Sequence, residues 1–253
     1  MAELSESFVA SIARALNSAQ IPCVLWGHYL LVVHGVPSIV ASIDFVIPDH
    51  DIDTGAKVLS RLARLTPCHD TEVCIFSHSK RLTPPPSRHF HIENSDIVVG
   101  LYLQSETLWF LPPLDGSLAS PSDIELPSPF VLASDQTVLP PWRPGRGAGV
   151  FKPGQPPVVV PRSHVLLEAF LRLYARDLGR WMGAFAMAMI GFVELYIDED
   201  GLLDAGRLPE PLRTFYRDLR DGNKPVRQWG LDLQEALGVP HYEPAPGPGP
   251  GAV

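Results

Sequence analysis

Several short clusters in this chain combine residue types that can do chemistry. In Trp26-Gly27-His28 an apolar run ends at a glycine and turns into a helical stretch. Backbone amides at such a helix start can hold an anion, although a glycine here can also serve only to let the chain enter the helix. In Ser42-Ile43-Asp44 the two polar residues share one strand face, because strand side chains alternate with a period of two. Asp44 can act in a site or simply bond to backbone amides at a strand end. His89-Phe90-His91 sets two imidazoles on one strand face, a spacing that can bind a transition metal or leave a hydrogen-bonded pair. Asp44 or His28 can complete such a ligand set if their strands are neighbours. Arg143, Arg146 and Lys152 sit on a loop rich in glycine and proline, where they either clamp an anion or stand in solvent. Asp49, Asp51 and Asp53 lack the glycine and distal glutamate of a calcium loop, so they read as a turn plus helix caps.

The elements that must position these residues follow from hydrophobic spacing. The first twenty residues predict an amphipathic helix with Phe8, Ile12 and Leu16 on one face. Pro22–Trp26 is a buried strand, His28–His34 a short helix stopped at Gly35-Val36-Pro37, and Ser42–Ile47 an alternating strand. A helix over Thr54–Leu65, capped by Asp51 or Asp53, turns Ala56, Leu59, Leu62 and Ala63 inward. Val73–Phe76 is a short strand, Arg88–Leu103 a hairpin turning near Asn94-Ser95, and Trp109–Leu111 a further strand. Ser128–Ala133 and Val158–Val160 read as edge strands. The chain then becomes helical, with Ser163 as a cap for Leu166, Leu167, Phe170, Leu171 and Tyr174. Helices over Leu178–Ile197, Pro209–Asp221 and Gln228–Leu237 follow. The pattern predicts an α+β fold, a mixed sheet flanked by helices.

Gly27-His28, His34-Gly35-Val36-Pro37 and Ser42-Ile43-Asp44 occur in that order, with 15 residues from Gly27 to Ser42. This order resembles the nucleotidyltransferase superfamily, the polymerase-beta-like fold, and its small stand-alone members above all. The resemblance covers about 30 residues well, Asp49–Leu103 loosely, and the C-terminal half only in being helical. It implies a nucleotidyltransferase-like domain over residues 1–110. A proline-rich connection over 111–161, a helical region over 162–240 and a disordered tail over 241–253 would follow. It also implies nucleotide binding at Gly27, His28 and Ser42, with magnesium held by catalytic carboxylates at Asp44 and, on a neighbouring strand, Asp96. Two metals held by three carboxylates would activate the attacking hydroxyl and stabilise the departing pyrophosphate.

The chain departs from that pattern at three places. His28 is bulkier than the glycine or serine usual where the phosphate packs. Ser42 is a neutral oxygen where the first carboxylate belongs. Asp96 falls near the hairpin turn, and a family-like register puts Gly100 at the third position instead. Two functions follow. The first is a degenerate nucleotidyltransferase-fold protein, a binding or regulatory pseudoenzyme or one turned to other chemistry. The second is an active metal-dependent enzyme moving a nucleoside monophosphate onto a small-molecule or protein hydroxyl. A metal enzyme built on His89 and His91 is a third.

Composition sets outer bounds. The chain has 253 residues, 45% hydrophobic and 19% charged, with 27 prolines that predict long stiff connections. A formal net charge of −8 opposes extended nucleic-acid binding. It leaves room for a small-molecule or nucleotide ligand. Cys23, Cys68 and Cys74 are too few and too oddly spaced for a disulfide framework or a zinc finger, so they read as reduced thiols. Glu3 and Glu6 stand where a secretory signal needs basic residues, and the apolar run Met182–Ile197 contains Glu194 and falls short of a bilayer. A cytoplasmic protein that does not engage membranes is expected. No phosphate loop, Gly-x-Ser-x-Gly turn or sustained heptad is present.

Overall fold

A computed structural model describes residues 4–70, 73–77, 83–121 and 125–240. Two short strands form its centre, β1 (Val24–Trp26) and β2 (Ser42–Ile47), and every residue in them is buried. Strands covered on both faces read as near-continuous apolar runs. Val24–Trp26 and Ile43–Ile47 do so, apart from Asp44. Around them stand β3 (Leu65–Pro67), β4 (Arg88–Ile92), β5 (Val98–Leu103), β6 (Phe130–Leu132) and β7 (Val159–Pro161). The seven strands lie in the order β3-β4-β5-β2-β1-β7-β6. β2 runs parallel to β5 and β1 parallel to β7, while the other neighbours are antiparallel. The sheet is therefore mixed, and the fold is α+β as the residue pattern predicts.

Helices cover both faces. Helix α1 (Glu6–Ser18) begins at Ser5, whose hydroxyl accepts the amide of Phe8, and buries Val9, Ile12, Ala13 and Leu16. Phe8 lies at the edge of that face and is only half-buried. Helix α2 (Gly27–Val33) follows β1 directly. Helix α3 (Ile52–Leu59) brings Gly55 down onto Leu16, Ile47 and Leu101, so α1 and α3 share the sheet face that carries Ile43, Phe45 and Ile47. The other face carries Trp26, Asp44 and Tyr102. There the short α4 (Gln104–Thr107) continues β5, and the hairpin of α5 (Ser163–Arg176) and α6 (Trp181–Val193) packs above. Trp26 meets Phe170 of α5 with ring centroids 5.3 Å apart. Helices α7 (Leu212–Arg220) and α8 (Val226–Ala236) close the end of α5. Trp229 of α8 lies 5.5 Å from the Tyr174 ring, and its Nε1 donates to the Phe215 carbonyl at 2.8 Å.

Several elements differ from the sequence reading, each for a local reason. Helix α3 ends at Leu59 rather than Leu65. Arg64 adopts a left-handed φ of 77°, which starts β3, a strand too short to leave a period. Asp51 precedes α3 without a side-chain cap bond, and Asp49 instead accepts the amide of Ser105 at the start of α4. Val73–Phe76 is a turn, not a strand, and so is Trp109–Leu111. β7 is not an edge strand, because it pairs with β1 on one side and β6 on the other. The sheet and its core thus continue past residue 110 into the proline-rich segment. Ser163 is the first residue inside α5 rather than its cap, and its hydroxyl donates to the Leu202 carbonyl. After Val193 the helix widens into a π turn over Glu194–Asp198. The continuous stretch Trp181–Asp198 has the length and composition of a membrane span, with 33% of it buried in the fold. The predicted tail at 241–253 lies outside the described residues.

Candidate functional site

The turn from β1 into α2 places Gly27 against Asp44. Gly27 has φ +66°, a left-handed conformation that side chains other than glycine rarely adopt. A Cβ at this position would lie 2.5 Å from Asp44 Oδ2. The glycine is therefore required both by its backbone and by the carboxylate packed on it. Trp26 pairs with Asp44 across β1 and β2, and Asp44 pairs in turn with Gly100 across β2 and β5. A Cβ at Gly100 would fall well inside 3.0 Å of Asp44 Oδ1. The carboxylate thus sits in a slot walled by two glycines, and Asp44 is 4% exposed. Ser42, two residues earlier on the same face, donates its hydroxyl to Asp44 Oδ2 at 2.7 Å.

The register decides which candidate lies beside Asp44, and it is Gly100. Asp96 stands in the exposed connection between β4 and β5, before the first residue of β5. Two strand steps from Gly100 back to Val98 already cover about 7 Å, and Asp96 lies two residues beyond. The pairing of Asp44 with Asp96 as shared metal ligands is therefore corrected. The structure does not bring these two carboxylates together, because the hairpin register spends the neighbouring position on a glycine. The three positions that would hold magnesium in the resembling family contain Ser42, Asp44 and Gly100. One carboxylate, already bonded to a hydroxyl and walled on two sides, does not fit a two-metal centre.

His28 Nδ1 lies 2.7 Å from the Ser38 hydroxyl, and its ring meets Phe185 of α6 at 6.0 Å. His34 is buried, and its Nε2 donates to the Pro161 carbonyl at 2.9 Å, tying the end of α2 to β7. Burial lowers its pKa from the ordinary 6.5 to about 4, against the opposing pull of that carbonyl. The arginine loop is no open anion clamp. Arg146 grips Asp200 through Nε at 2.8 Å and its terminal nitrogen at 3.0 Å, while Arg143 reaches the same carboxylate at 2.7 Å. Hydrogen bonding from Arg146 holds the Asp200 carboxyl below its usual range. The Lys152 amide donates to Glu6. Asp53 pairs with Arg88 at 3.0 Å.

Beside the Asp44 row, a cleft of ≈ 420 Å³ opens on the same sheet face, lined by Trp26, Tyr102, Thr107, Arg176, Met182 and Phe185 among others. That volume is of the size small ligands occupy. The sequence reading did not find this cleft, because its walls come from β1, β5, α4 and the α5–α6 hairpin, elements far apart along the chain.

The two histidines of β4 find partners the sequence reading did not join to them. His89 lies directly across from Gly100, so Asp44 stands two strand spacings away, about 9–10 Å, and is no ligand for this pair. His28 belongs to Ser38 and Phe185 instead. Cys68 and Cys74 approach the imidazoles, and one ligand atom from each of Cys68, Cys74, His89 and His91 lies within 4.8 Å of the others. The signal in the sequence was the period-two histidine pair. What hid the rest was a spacing, C-x5-C-x14-H-x-H, that matches no familiar zinc motif.

No family model matches the chain, and no curated protein matches it. Two solved structures do align with it. The antibiotic-resistance factor ANT(2'')-Ia aligns over 86% of this chain and 96% of its own, at 11% identity and a TM-score of 0.40. An antigenic nucleotidyltransferase-like protein from Paracoccidioides brasiliensis aligns over 90% of this chain and 92% of its own, at 14% identity and a TM-score of 0.44.

Proposed function

We propose that this chain is a nucleotidyltransferase-fold protein with a degenerate active site, which binds a small molecule or nucleotide rather than transferring a nucleotidyl group. The observation that carries this reading is the pairing of Asp44 with Gly100, next to Ser42. Transfer through two metals needs carboxylates at three converging positions, and this site offers one. The Ser42 hydroxyl donates a hydrogen bond to Asp44 Oδ2, which engages one oxygen of the single carboxylate. At the strand–Gly27–helix turn, which in an active site would meet phosphates, the Asp44 side chain packs directly against Gly27.

Binding would take place in the adjacent cleft. Phe185 offers an aromatic ring to a planar group above the buried Trp26. The rim carries Arg176 and Arg180, both paired with Asp177, so polar recognition there would draw on the Arg–Asp–Arg cluster as a whole. Arg176 also lies over the Trp109 ring at 4.9 Å and donates to the Glu106 carbonyl at 2.6 Å, which holds its side chain in place.

The test is a transfer assay on the full chain. Each of the four nucleoside triphosphates is supplied with magnesium or manganese, and pyrophosphate release is followed. The expected result is release no greater than that of Asp44→Ala. Metal-dependent release that disappears in Asp44→Ala would establish the active enzyme instead. Calorimetric titration with the same nucleotides, with and without metal, then reports binding. Phe185→Ala is expected to weaken it and Asp44→Ala to leave it nearly unchanged.

A further inference from the structure

We propose that Cys68, Cys74, His89 and His91 form a structural zinc site that pins the loop after β3 onto the edge of the sheet. The site is built by three independent features of the chain. First, β3 and β4 pair with Pro67 opposite Phe90, and the pairing runs on past β3, where the Cys68 amide donates to the His89 carbonyl at 3.1 Å. Cys68 thereby lands across from His89. Second, the period of two along β4 puts His89 and His91 on one face. Third, the following loop folds back. Asp70 accepts the amide of Val73 at its side chain and that of Cys74 at its carbonyl, each at 3.1 Å, and the Cys74 carbonyl accepts Ser77 at 2.9 Å. This turn delivers Cys74 Sγ to 3.2 Å from His89 Nε2 and 3.7 Å from His91 Nε2.

These separations suit a tetrahedral ion. With Zn–S near 2.3 Å and Zn–N near 2.0–2.1 Å, the ligand atoms of such a site stand about 3.3–3.8 Å apart. The four atoms already lie within 4.8 Å of one another, so small side-chain rotations close the shell. Two thiolates and two neutral imidazoles cancel the charge of the zinc ion. The set contains soft sulfur and borderline nitrogen and no carboxylate, which favours zinc over magnesium or calcium. Four protein ligands leave no open coordination position, so the role is structural, not catalytic. The Phe76 ring packs on both imidazoles, with centroids at 6.1 Å to each, and His89 is 6% exposed.

The location explains why such an ion is needed. β3 is a three-residue edge strand, and the loop beyond it exposes Val73 and Ile75, at 74% and 68%. Little apolar burial holds this segment, so its order would come from the metal. Nothing in this inference depends on whether the Asp44 site binds or transfers a nucleotide.

The full chain, purified without metal-affinity steps from zinc-supplemented medium, is to be analysed for metal by mass spectrometry. The expected content is one zinc atom per chain, lost in both Cys74→Ser and His91→Ala and kept in Cys23→Ser, whose thiol lies buried elsewhere. Replacement by cobalt is expected to give the intense visible bands of a tetrahedral, thiolate-ligated ion. If the variants fail to fold, wild-type chain carries the test alone. After chelation Cys68 and Cys74 should both react rapidly with a thiol reagent, and added zinc should block both. Wild-type chain that takes up no zinc or cobalt with both thiols reduced overturns the proposal. So does a Cys68–Cys74 disulfide in the chain as isolated, or zinc retained after His91→Ala.

Discussion

Gly100→Ala gives a sharp test of the slot around Asp44. The added methyl would lie well inside 3.0 Å of Asp44 Oδ1 and 3.2 Å from both Pro86 Cβ and Tyr102 Cε2. Asp44 cannot simply swing away, because Gly27 closes the opposite side and Ser42 holds Oδ2. Adding a methyl group to a packed interior costs about 1–3 kcal/mol. At about 2–4 °C per kcal/mol for a chain of this size, the melting temperature should fall by about 2–12 °C. The contact, not the residue, is the cause, so removing the carboxylate should relieve it. In a cycle with Asp44→Ala, Gly100→Ala is expected to be much less harmful in the variant background. The coupling should be about 1–2 kcal/mol, within the range of residues in contact. Gly27→Ala serves as the control. It meets the same carboxylate at 2.5 Å but also forces an alanine to φ +66°, a penalty of about 1–2 kcal/mol that Asp44→Ala cannot remove. Chemical denaturation of the four chains in each cycle supplies the numbers. If Gly100→Ala proves neutral, or if its cost is the same with and without Asp44, the slot does not exist as described.

Other outcomes follow from the same structure. His34 binds a proton less readily when folded, so between pH 6.5 and about 4 the unfolded chain takes up more protons and stability falls as pH falls. The loss should reach about 3 kcal/mol at about 1.4 kcal/mol per pH unit, and His34→Gln should flatten that slope in denaturant titrations run across this range. His164, held near 4 by burial and by the nearby Arg207, adds in the same direction. Trp229→Ala removes a side chain 1% exposed and its bond to Phe215, and should cost about 3–5 kcal/mol, read from the denaturation midpoint.

What the sequence made legible was whatever depends on local period. β2 appears with the predicted ends, Ser42 and Ile47, because alternation and the following proline mark both limits. The hairpin of β4 and β5 was legible for the same reason, and Asn94 takes the left-handed φ of 56° that its turn requires. What stayed hidden depends on pairing across the sheet. Whether Asp96 or Gly100 faces Asp44 is a question of register, and a local pattern cannot fix register between strands more than fifty residues apart. The same blindness separated Cys68 and Cys74 from His89 and His91. Their meeting requires β3, which has three residues and no readable period. The arginine loop misled for a different reason. Its partner, Asp200, lies beyond the α5–α6 hairpin, and charge patterning along a chain does not say which charges meet.

Gly100 is more than a position lacking a carboxylate. The segment from Pro84 to Ser87 lies on the sheet face that a side chain at residue 100 would enter. Tyr102 donates its hydroxyl to the Pro84 carbonyl at 2.8 Å, and the Ser87 amide donates to the Leu101 carbonyl at 2.9 Å. Pro86 is brought within 3.2 Å of where a Cβ on Gly100 would stand. A carboxylate there and this segment exclude each other sterically. Gly100→Asp should therefore not rebuild a metal centre. It should destabilise the chain at least as much as Gly100→Ala, since it adds to the same overlap a second buried anion beside Asp44. Magnesium-dependent nucleotide transfer by the Gly100→Asp chain, with Ser42 also changed to Asp, would show that the segment yields and that only the ligands were missing. Failure of that double variant to transfer, with its fold retained by circular dichroism, would support closure of this face by the Pro84–Ser87 segment as a further barrier to the chemistry.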